Sequence, residues 1–341
     1  MLIWSIVSII QNGVLYSMIK PLIRRFLNSI LIKRQILFII FRSFKFYSEE
    51  MRFFIKNKSI NLSRPLSEYD NKSVYIRKLA HVLERLLFEP FAYSSNSGET
   101  FSKTLEKLLL YSDESVSIKL KIWANRILRE YKEKRSKETF CPILIDNITS
   151  PKSLINTDSL MMLIRQRRSR RIFLDVPLTD LEKNNITEAA QYAPSSCNRQ
   201  TLDLIFVEDP ELKQFVSSTI PGGYQFFHKA PCIMVLTSYI RDYRFPEDRV
   251  APFVDGAAAI QNIYLVCETI GLGCCWGSYT SFGNIYCEPE VRKKLRIPDS
   301  HFIVGSLAIG KSDQFICHIP RDEPSTRYGT NYFRNKNYTS D

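Results

Sequence analysis

Short apolar runs of strand length alternate with helical patterns from Asp158 onward, and this alternation restricts the possible folds more than any other feature of the chain. LDLIFV at 202–207 and CIMVLT at 232–237 have the length and composition of buried strands. Two more apolar runs, GCCWGSY and FIVGSLAIG, follow a helical pattern at 255–270. Helices alternating with strands predict an α/β or α+β fold built around one sheet.

Local signals predict where several of these elements begin and end. Asp158 is suited to cap a helix through SLMMLIRQR, and Thr179-Asp-Leu-Glu182 is a capping box that opens the next helix. Gly271 is expected to stop the helix at 255–270. These signals mark 158–341 as one domain.

The chain before Asp158 has a different composition and pattern. Residues 61–157 are charged and helical in pattern, with Gly98 as an isolated glycine, and they end in the polar, proline-containing stretch NITSPKSLINTD. We interpret 61–157 as a helical extension and the stretch at 147–158 as the linker into the next unit. The segment carries no chemical signature of its own.

Most of the positive charge lies at the N-terminus. Residues 1–60 contain ten Lys or Arg and two Glu, so they carry +8 of the formal net charge of +12. The rest of the chain is close to neutral for its size, which argues against a nucleic-acid-binding body. The role of the positive charge is therefore a question about residues 1–60.

Three interpretations of residues 1–60 remain open. Residues 1–19 carry no charge and have the length of a membrane span, but they include several polar side chains. Residues 20–45 alternate apolar and basic groups at helical spacing, as in a helix that lies on an anionic membrane surface. An ordinary helix packed on the protein itself has the same pattern. No secretory cleavage site is evident.

The eight cysteines, at 141, 197, 232, 267, 274, 275, 287 and 317, include no CxxC pair. Most lie in apolar runs, so we expect buried free thiols in a reducing compartment, and neither disulfides nor a metal site. The resulting prediction is a cytoplasmic protein, with peripheral attachment to the inner face of the membrane as an option.

The run RQRRSRRIF at 165–173 contains five arginines. Alone, such a run is typical of a solvated face, although guanidinium groups also bind phosphate well. Two polar, glycine- or serine-containing loops follow it: APSSCNRQ at 193–200 and GLGCCWGS at 271–278. Their hydroxyls, amides and glycines are suited to the edge and face of a flat polar ligand.

In this order and spacing, RRSRRIF, APSSCNRQ, DGAAAIQNIYLVCETIGLGCCWGS and VGSLAIGKSD resemble the nitroreductase family of FMN-dependent oxidoreductases. The resemblance covers residues 158–341 and implies a long form of the family with an N-terminal helical extension. It implies an α+β fold with a central, mainly antiparallel sheet flanked by helices. It also implies an intertwined homodimer with FMN at the subunit interface.

The resemblance further implies which residues contact FMN. The first motif would face the ribityl phosphate and the pyrimidine edge, the second would come from the partner subunit, and the third would lie over the isoalloxazine ring. A C-terminal basic residue would bind the phosphate, with Arg327 as the second choice. The implied contacts are Arg167, Arg168, Ser169, Arg171, Pro194, Ser195, Ser196, Asn198, Trp276, Gly277, Ser278 and Arg321.

Two positions depart from the family pattern. Thr201 stands where the second motif normally has a proline, so a different loop backbone is expected there. Ala80-His-Val-Leu-Glu-Arg-Leu86 is similar to a His-x-x-Glu-Lys-Gly element of longer family members, but it lacks the Lys-Gly. We therefore interpret His81 as a packed or surface histidine. Arg165 and Arg170 are expected to face solvent.

The reaction implied by the resemblance is ping-pong hydride transfer, in which NAD(P)H reduces FMN and a nitroaromatic or quinone-like acceptor reoxidises it. No dedicated acid–base residue is expected, because the flavin carries the chemistry. Two alternatives are a non-catalytic flavin-binding protein and a basic protein that binds membrane or nucleic acid. A colourless protein would favour the last of these.

Overall fold

The computed structural model describes residues 71–88, 95–136, 155–220, 222–241, 243, 248, 250–277, 288–316, 320–322 and 324. Only the backbone is described at 88, 95–97, 135, 136, 288 and 289. The basic segment at 1–60 and most of the linker predicted at 147–158 lie outside these residues.

Three helices form the extension, as the sequence predicts. They are α1 (Lys72–Phe88), α2 (Ser95–Leu110) and α3 (Ile118–Ser136). They pack around a core of their own that includes Ile76, Leu83, Leu87, Leu105 and Ile127. The Lys134 ammonium donates to the carbonyls of Leu86 and Leu87 at 3.1 and 2.5 Å, which satisfies two acceptors at the end of α1.

A sheet of entirely antiparallel pairs forms the centre of the second half. Its strands lie in the order β1-β2-β4-β3. All four apolar runs identified in the sequence are strands. Their bounds are β1 (Leu202–Val207), β2 (Cys232–Tyr239), β3 (Leu272–Gly277) and β4 (His301–Lys311). This arrangement confirms the α+β class.

Helices cover both faces of the sheet. On β2, which is buried along its whole length, Met234 joins the core beneath α7, whereas Val235 joins the core on the opposite face. Because the side chains of a strand alternate between faces, a strand covered on both sides is apolar throughout. The helices are α4 (Thr157–Gln166), α5 (Asp180–Gln191), α6 (Pro210–Thr219), α7 (Ala251–Thr269) and α8 (Glu288–Leu295).

The helix boundaries follow their capping residues, with one correction. Thr179 and Glu182 form the predicted capping box, and Gly271 follows α7 with φ of 74°. The prediction that Asp158 caps α4 is wrong, because Asn156 accepts the Ser159 N–H at 2.8 Å. Asp158 instead lies in the first turn, where its charge favours the helix dipole. No helix in the described part of the chain is long and apolar enough to cross a membrane.

Candidate active site

The arginine run is helical only at Arg165 and Gln166. α4 ends at Gln166, and the next residues run beside the edge strand β3. Ser169 forms a parallel bridge with Cys274, and the Arg170 N–H donates to the Cys274 carbonyl at 3.0 Å. Side chains along this extended segment alternate in direction, so neighbouring arginines have different surroundings.

Tyr264, in the middle of α7, joins the first and third motifs. The Arg167 guanidinium lies 4.9 Å from the centre of the Tyr264 ring, and Ser169 Oγ lies 3.4 Å from its hydroxyl. The same hydroxyl accepts the backbone N–H of Trp276 at 2.7 Å. Burial raises the pKa of Tyr264, so the phenol stays protonated and can donate to Ser169.

Arg171 lies beside the same strand. Its guanidinium is 5.9 Å from the centre of the Phe226 ring and interacts with the thiol of Cys275. Burial raises the pKa of Cys275, and the positive charge of Arg171 opposes this rise. The backbone N–H groups of Arg171 and Ile172 both donate to Gln314 Oε1, at 2.8 and 3.1 Å. Gln314 therefore holds this part of the motif in place.

Arg168 has an unsatisfied buried donor. Its Nη1 donates to the carbonyls of Arg165 and Arg167, at 2.5 and 2.8 Å. Its Nε is buried and has no hydrogen-bond partner among the residues that the structure describes. Leaving a buried donor unpaired costs about 1–3 kcal/mol, and more for a charged group. An acceptor supplied by a ligand would remove this cost.

The prediction that Arg170 faces solvent is wrong. Its guanidinium forms an ion pair with Glu268 of α7 at 3.1 Å and donates to the Gln314 carbonyl at 2.5 Å. Its aliphatic stem lies over Gly273, where a Cβ would come within 2.6 Å of Arg170 Cδ. Arg170 thus attaches the motif to the sheet and α7, whereas Arg165 is exposed, as predicted.

The second motif forms a tight loop after α5. Cys197, Asn198 and Gln200 have φ of 52°, 52° and 53°, in the left-handed region that non-glycine residues seldom adopt. The Gln200 N–H donates to Ser195 Oγ at 3.1 Å, and its side chain donates to Asn198 Oδ1 at 2.8 Å. A proline at 201 would push residue 200 towards extended backbone. Thr201 allows the left-handed backbone found at Gln200.

Two buried charged residues that sequence reasoning missed hold this loop. Asp255 of α7 accepts the N–H and hydroxyl of Ser196, each at 3.0 Å. Arg199 donates to the Ser196 carbonyl at 3.1 Å and pairs with Asp248 at 3.5 Å. A carboxylate in the otherwise uncharged run DGAAAIQN was the one sequence signal for Asp255.

The first and second motifs lie at different places along α7. Asp255, near the start of the helix, contacts the second motif. Tyr264, which lies nine residues further along the helix, contacts the first motif. At 1.5 Å per residue these positions are about 14 Å apart along the axis. The described contacts therefore bring the first and third motifs together, but not the second.

The remaining predicted residues have mixed outcomes. The side chain of Trp276 is 44% exposed, and the carbonyl of Gly277 accepts the Ser306 hydroxyl at 3.1 Å. Arg321 is exposed and donates to the adjacent Pro320 carbonyl at 3.5 Å. Ser278 and the second-choice Arg327 lie outside the described residues. His81 lies on α1, 3.4 Å from Glu84.

Comparison with known proteins finds a family match over the same part of the chain. The model of the nitroreductase family matches residues 164–222 and 215–311, which include the arginine motif, the loop after α5, α7 and the whole sheet. This part of the chain is similar to the nitroreductase family. The matched residues are called the nitroreductase domain below.

Relatives of the nitroreductase domain are named as flavin reductases. An FMN reductase (NADPH) of Bacillus subtilis is 27% identical over 186 residues, 50% of this chain and 72% of that protein. A second B. subtilis protein, an FMN reductase [NAD(P)H], is 26% identical over 163 residues, 43% of this chain and 63% of the relative. An FMN-dependent nitroreductase structure from Clostridium difficile aligns with 51% of this chain and 99% of its own, at 25% identity and a TM-score of 0.45.

Proposed function

We propose that the nitroreductase domain binds FMN and uses NAD(P)H to reduce a small organic acceptor. The unpaired buried Nε of Arg168, in a group of arginines beside β3, is the observation that carries this proposal. Such a group suits an anionic ligand, because guanidinium forks bind phosphate and carbonyl oxygens through charge-assisted hydrogen bonds. The names of the relatives supply FMN as the ligand.

The residues have separate roles in this proposal. Arg167, Arg168 and Arg171 bind the phosphate and the pyrimidine edge, and Ser169 adds a hydroxyl. Trp276, Gly277 and Ser278 lie over the ring system. The chemistry that FMN supplies when bound is hydride transfer from NAD(P)H to a second small molecule, such as a nitroaromatic or a quinone. The nicotinamide and the second molecule bind one after the other.

A second copy of the chain completes the proposed site. Pro194, Ser195, Ser196 and Asn198 have no described contact with Arg167, Arg168 or Arg171 of their own chain, so we assign them to the site of the partner subunit. α4 supports such a dimer, because none of its residues is buried. An isolated ten-residue helix is not stable in water, so its apolar side chains must pack against another protein surface. Four of them, all exposed, are Leu160, Met161, Met162 and Ile164.

Mutation of this apolar face tests the dimer. Met162 is 57% exposed, and Met162→Lys places a charge in the proposed interface. We expect a dimer for the native chain and a large shift towards monomer for Met162→Lys in sedimentation velocity. Glu211→Lys, at an exposed position of α6, is the matched control. A monomeric native chain would contradict this assignment.

Flavin content and reduction test the function itself. The purified protein is expected to be yellow, to release FMN on denaturation, and to be bleached anaerobically by NADH or NADPH. An acceptor screen on the reduced protein then identifies the substrate class. A colourless protein that also fails to bind added FMN contradicts the proposal. A yellow protein that neither nicotinamide reduces indicates a flavin-binding protein without this turnover.

A further inference from the structure

A continuous chain of hydrogen bonds connects the sheet to the loop that carries Ser196 and Asn198. Thr201 Oγ1 lies 2.9 Å from Ser238 Oγ on β2 and 2.9 Å from the hydroxyl of Tyr243. The Tyr243 hydroxyl in turn donates to Asp255 Oδ2 at 3.1 Å. All four residues are buried, with exposures of 4% or less.

The direction of each hydrogen bond in this chain is set by its last member. The Tyr243 hydroxyl donates to Asp255 and so uses its single proton there. It must then accept from Thr201, which accepts from Ser238. Burial raises the pKa of Tyr243, which keeps the phenol protonated and able to donate. Ser238 also interacts with the Tyr243 hydroxyl, so the three hydroxyls form one connected network that ends at Asp255, and loss of one removes a hydrogen bond from its neighbours.

The other end of the chain is the loop itself. Asp255 receives the N–H and the hydroxyl of Ser196, and Arg199 donates to the Ser196 carbonyl while lying 4.9 Å from the Tyr243 ring centre. α1 of the extension packs against the turn Ser196–Asn198 from outside, and Tyr75 Oη donates to the Arg241 carbonyl at 3.3 Å, two residues before Tyr243. The loop is thus held from both sides.

We propose that Thr201, Tyr243 and Asp255 are positioning residues. They hold the loop in the conformation in which Ser196 and Asn198 contact the flavin. The loop contains three left-handed non-glycine residues, a conformation that surrounding contacts must maintain. None of the three positioning residues touches the ligand, and their effect on it passes through Ser196. This inference rests on the proposed function, because it takes FMN as the ligand of the loop.

Removal of single hydroxyl groups tests the proposal. Thr201→Val and Tyr243→Phe keep the volume and lose one hydrogen bond each, and Thr201→Ser keeps the hydroxyl. Thr187→Val and Tyr111→Phe are matched controls, since Thr187 bonds only within α5 and Tyr111 is exposed at the end of α2. FMN affinity is measured by quenching of FMN fluorescence on titration with apo-protein. Hydrogen exchange of residues 195–200 is measured in the absence of FMN.

We expect Thr201→Val and Tyr243→Phe each to weaken FMN binding about five-fold, the size associated with one hydrogen bond, and to speed exchange in the loop. The double variant is expected to be no weaker than the more affected single variant, because both interrupt one chain. Thr201→Ser and the controls stay within about two-fold of the native affinity, on the same basis. If Thr201→Val does not fold, comparison of the single variants Tyr243→Phe and Thr201→Ser tests the positioning role.

Two outcomes are distinguishable. Native FMN affinity and native loop exchange in Thr201→Val and Tyr243→Phe would overturn the positioning role and leave the proposed function standing. Failure of the native protein to bind FMN would overturn the proposed function, and the flavin part of this inference with it. Additive effects of the two substitutions would also contradict a single connected chain.

Discussion

At the scale of single residues, the extended backbone after α4 separates arginines that adjoin in sequence. Arg170 points towards Glu268 and Gln314, where it attaches the segment to the rest of the domain. Arg167 and Arg171 lie against the aromatic rings of Tyr264 and Phe226. A helix would have given the run a different set of neighbours, because the side-chain period would have been 3.6 instead of 2.

Arg168→Ala is expected to weaken FMN binding more than ten-fold. The buried Nε has no partner among the described residues, and a hydrogen bond to a charged group contributes about 1.5–3 kcal/mol, where 1.4 kcal/mol is a factor of ten. Titration of apo-protein with FMN measures the effect. Arg165→Ala is the matched control, since Arg165 is exposed and contributes only its backbone carbonyl. Equal affinities for the two variants would show that the motif does not face the ligand.

The buried thiols and phenols predict loss of stability at alkaline pH. Burial raises the pKa of Cys232 to about 12 and raises those of Tyr243 and Tyr264 as well. The unfolded chain therefore releases these protons at lower pH than the folded chain. The free energy of unfolding therefore falls above about pH 9 for Cys232 and above about pH 10 for the two tyrosines, by about 1.4 kcal/mol per pH unit for each group until its folded-state pKa is reached.

Urea unfolding at pH 8 and pH 10 measures this slope. Cys232→Ala removes one titrating group and is expected to make the decline shallower, whereas Cys197→Ser is the control because Cys197 is exposed. An unchanged slope in Cys232→Ala would contradict the assignment. Among the described cysteines, 232, 267, 274 and 275 are buried free thiols, as the sequence predicts, and 197 is exposed.

At the scale of elements, α7 connects the parts of the candidate site. Its first turns hold Asp255, its middle holds Tyr264 and its last turns hold Glu268, which pairs with Arg170. The helix lies close to the sheet, because a Cβ at Gly256 would come within 2.2 Å of Val304 on β4. Gly271, with φ of 74°, then turns the chain directly into β3.

Gly256→Ala is expected to destabilise the domain. Alanine raises helix propensity by about 0.8–1 kcal/mol, but overpacking a dense core costs about 1–3 kcal/mol. Val304 is 2% exposed and has little room to move, so the steric cost exceeds the gain. The midpoint of urea unfolding measures the difference. Val254→Ala is the control, because Val254 is 62% exposed on the same helix; a native or higher midpoint for Gly256→Ala would show that the helix can move away.

At the scale of the whole molecule, the charge and the candidate site occupy different parts of the chain. Residues 1–60 carry +8, whereas the site residues all follow residue 164. We propose that the N-terminal segment binds an anionic membrane surface and leaves catalysis to the nitroreductase domain. The helical extension between them has its own core and contacts the loop at Ser196–Asn198.

Deletion of residues 1–60 tests this separation. FMN affinity is expected to be unchanged, and co-sedimentation with vesicles containing anionic lipid is expected to fall. The physical reason is that adjacent apolar and basic groups supply both burial and charge attraction at such a surface. Vesicles of neutral lipid are the matched control. Loss of flavin binding in the truncated protein would mean that the segment belongs to the catalytic body.

The sequence by itself determined the α+β class, the four strands, the capping box and the stop at Gly271, because strand and helix periodicity and cap chemistry act over a few neighbouring residues. It also singled out the motifs that identify the nitroreductase domain. Only the tertiary structure decided that Arg170 is an anchor, that Arg168 has an unpaired donor, and that Asp255 and Tyr243 hold the second loop. These outcomes depend on contacts between residues up to about 145 positions apart, such as Arg170 with Gln314. Chain topology sets such contacts, and no local pattern encodes them.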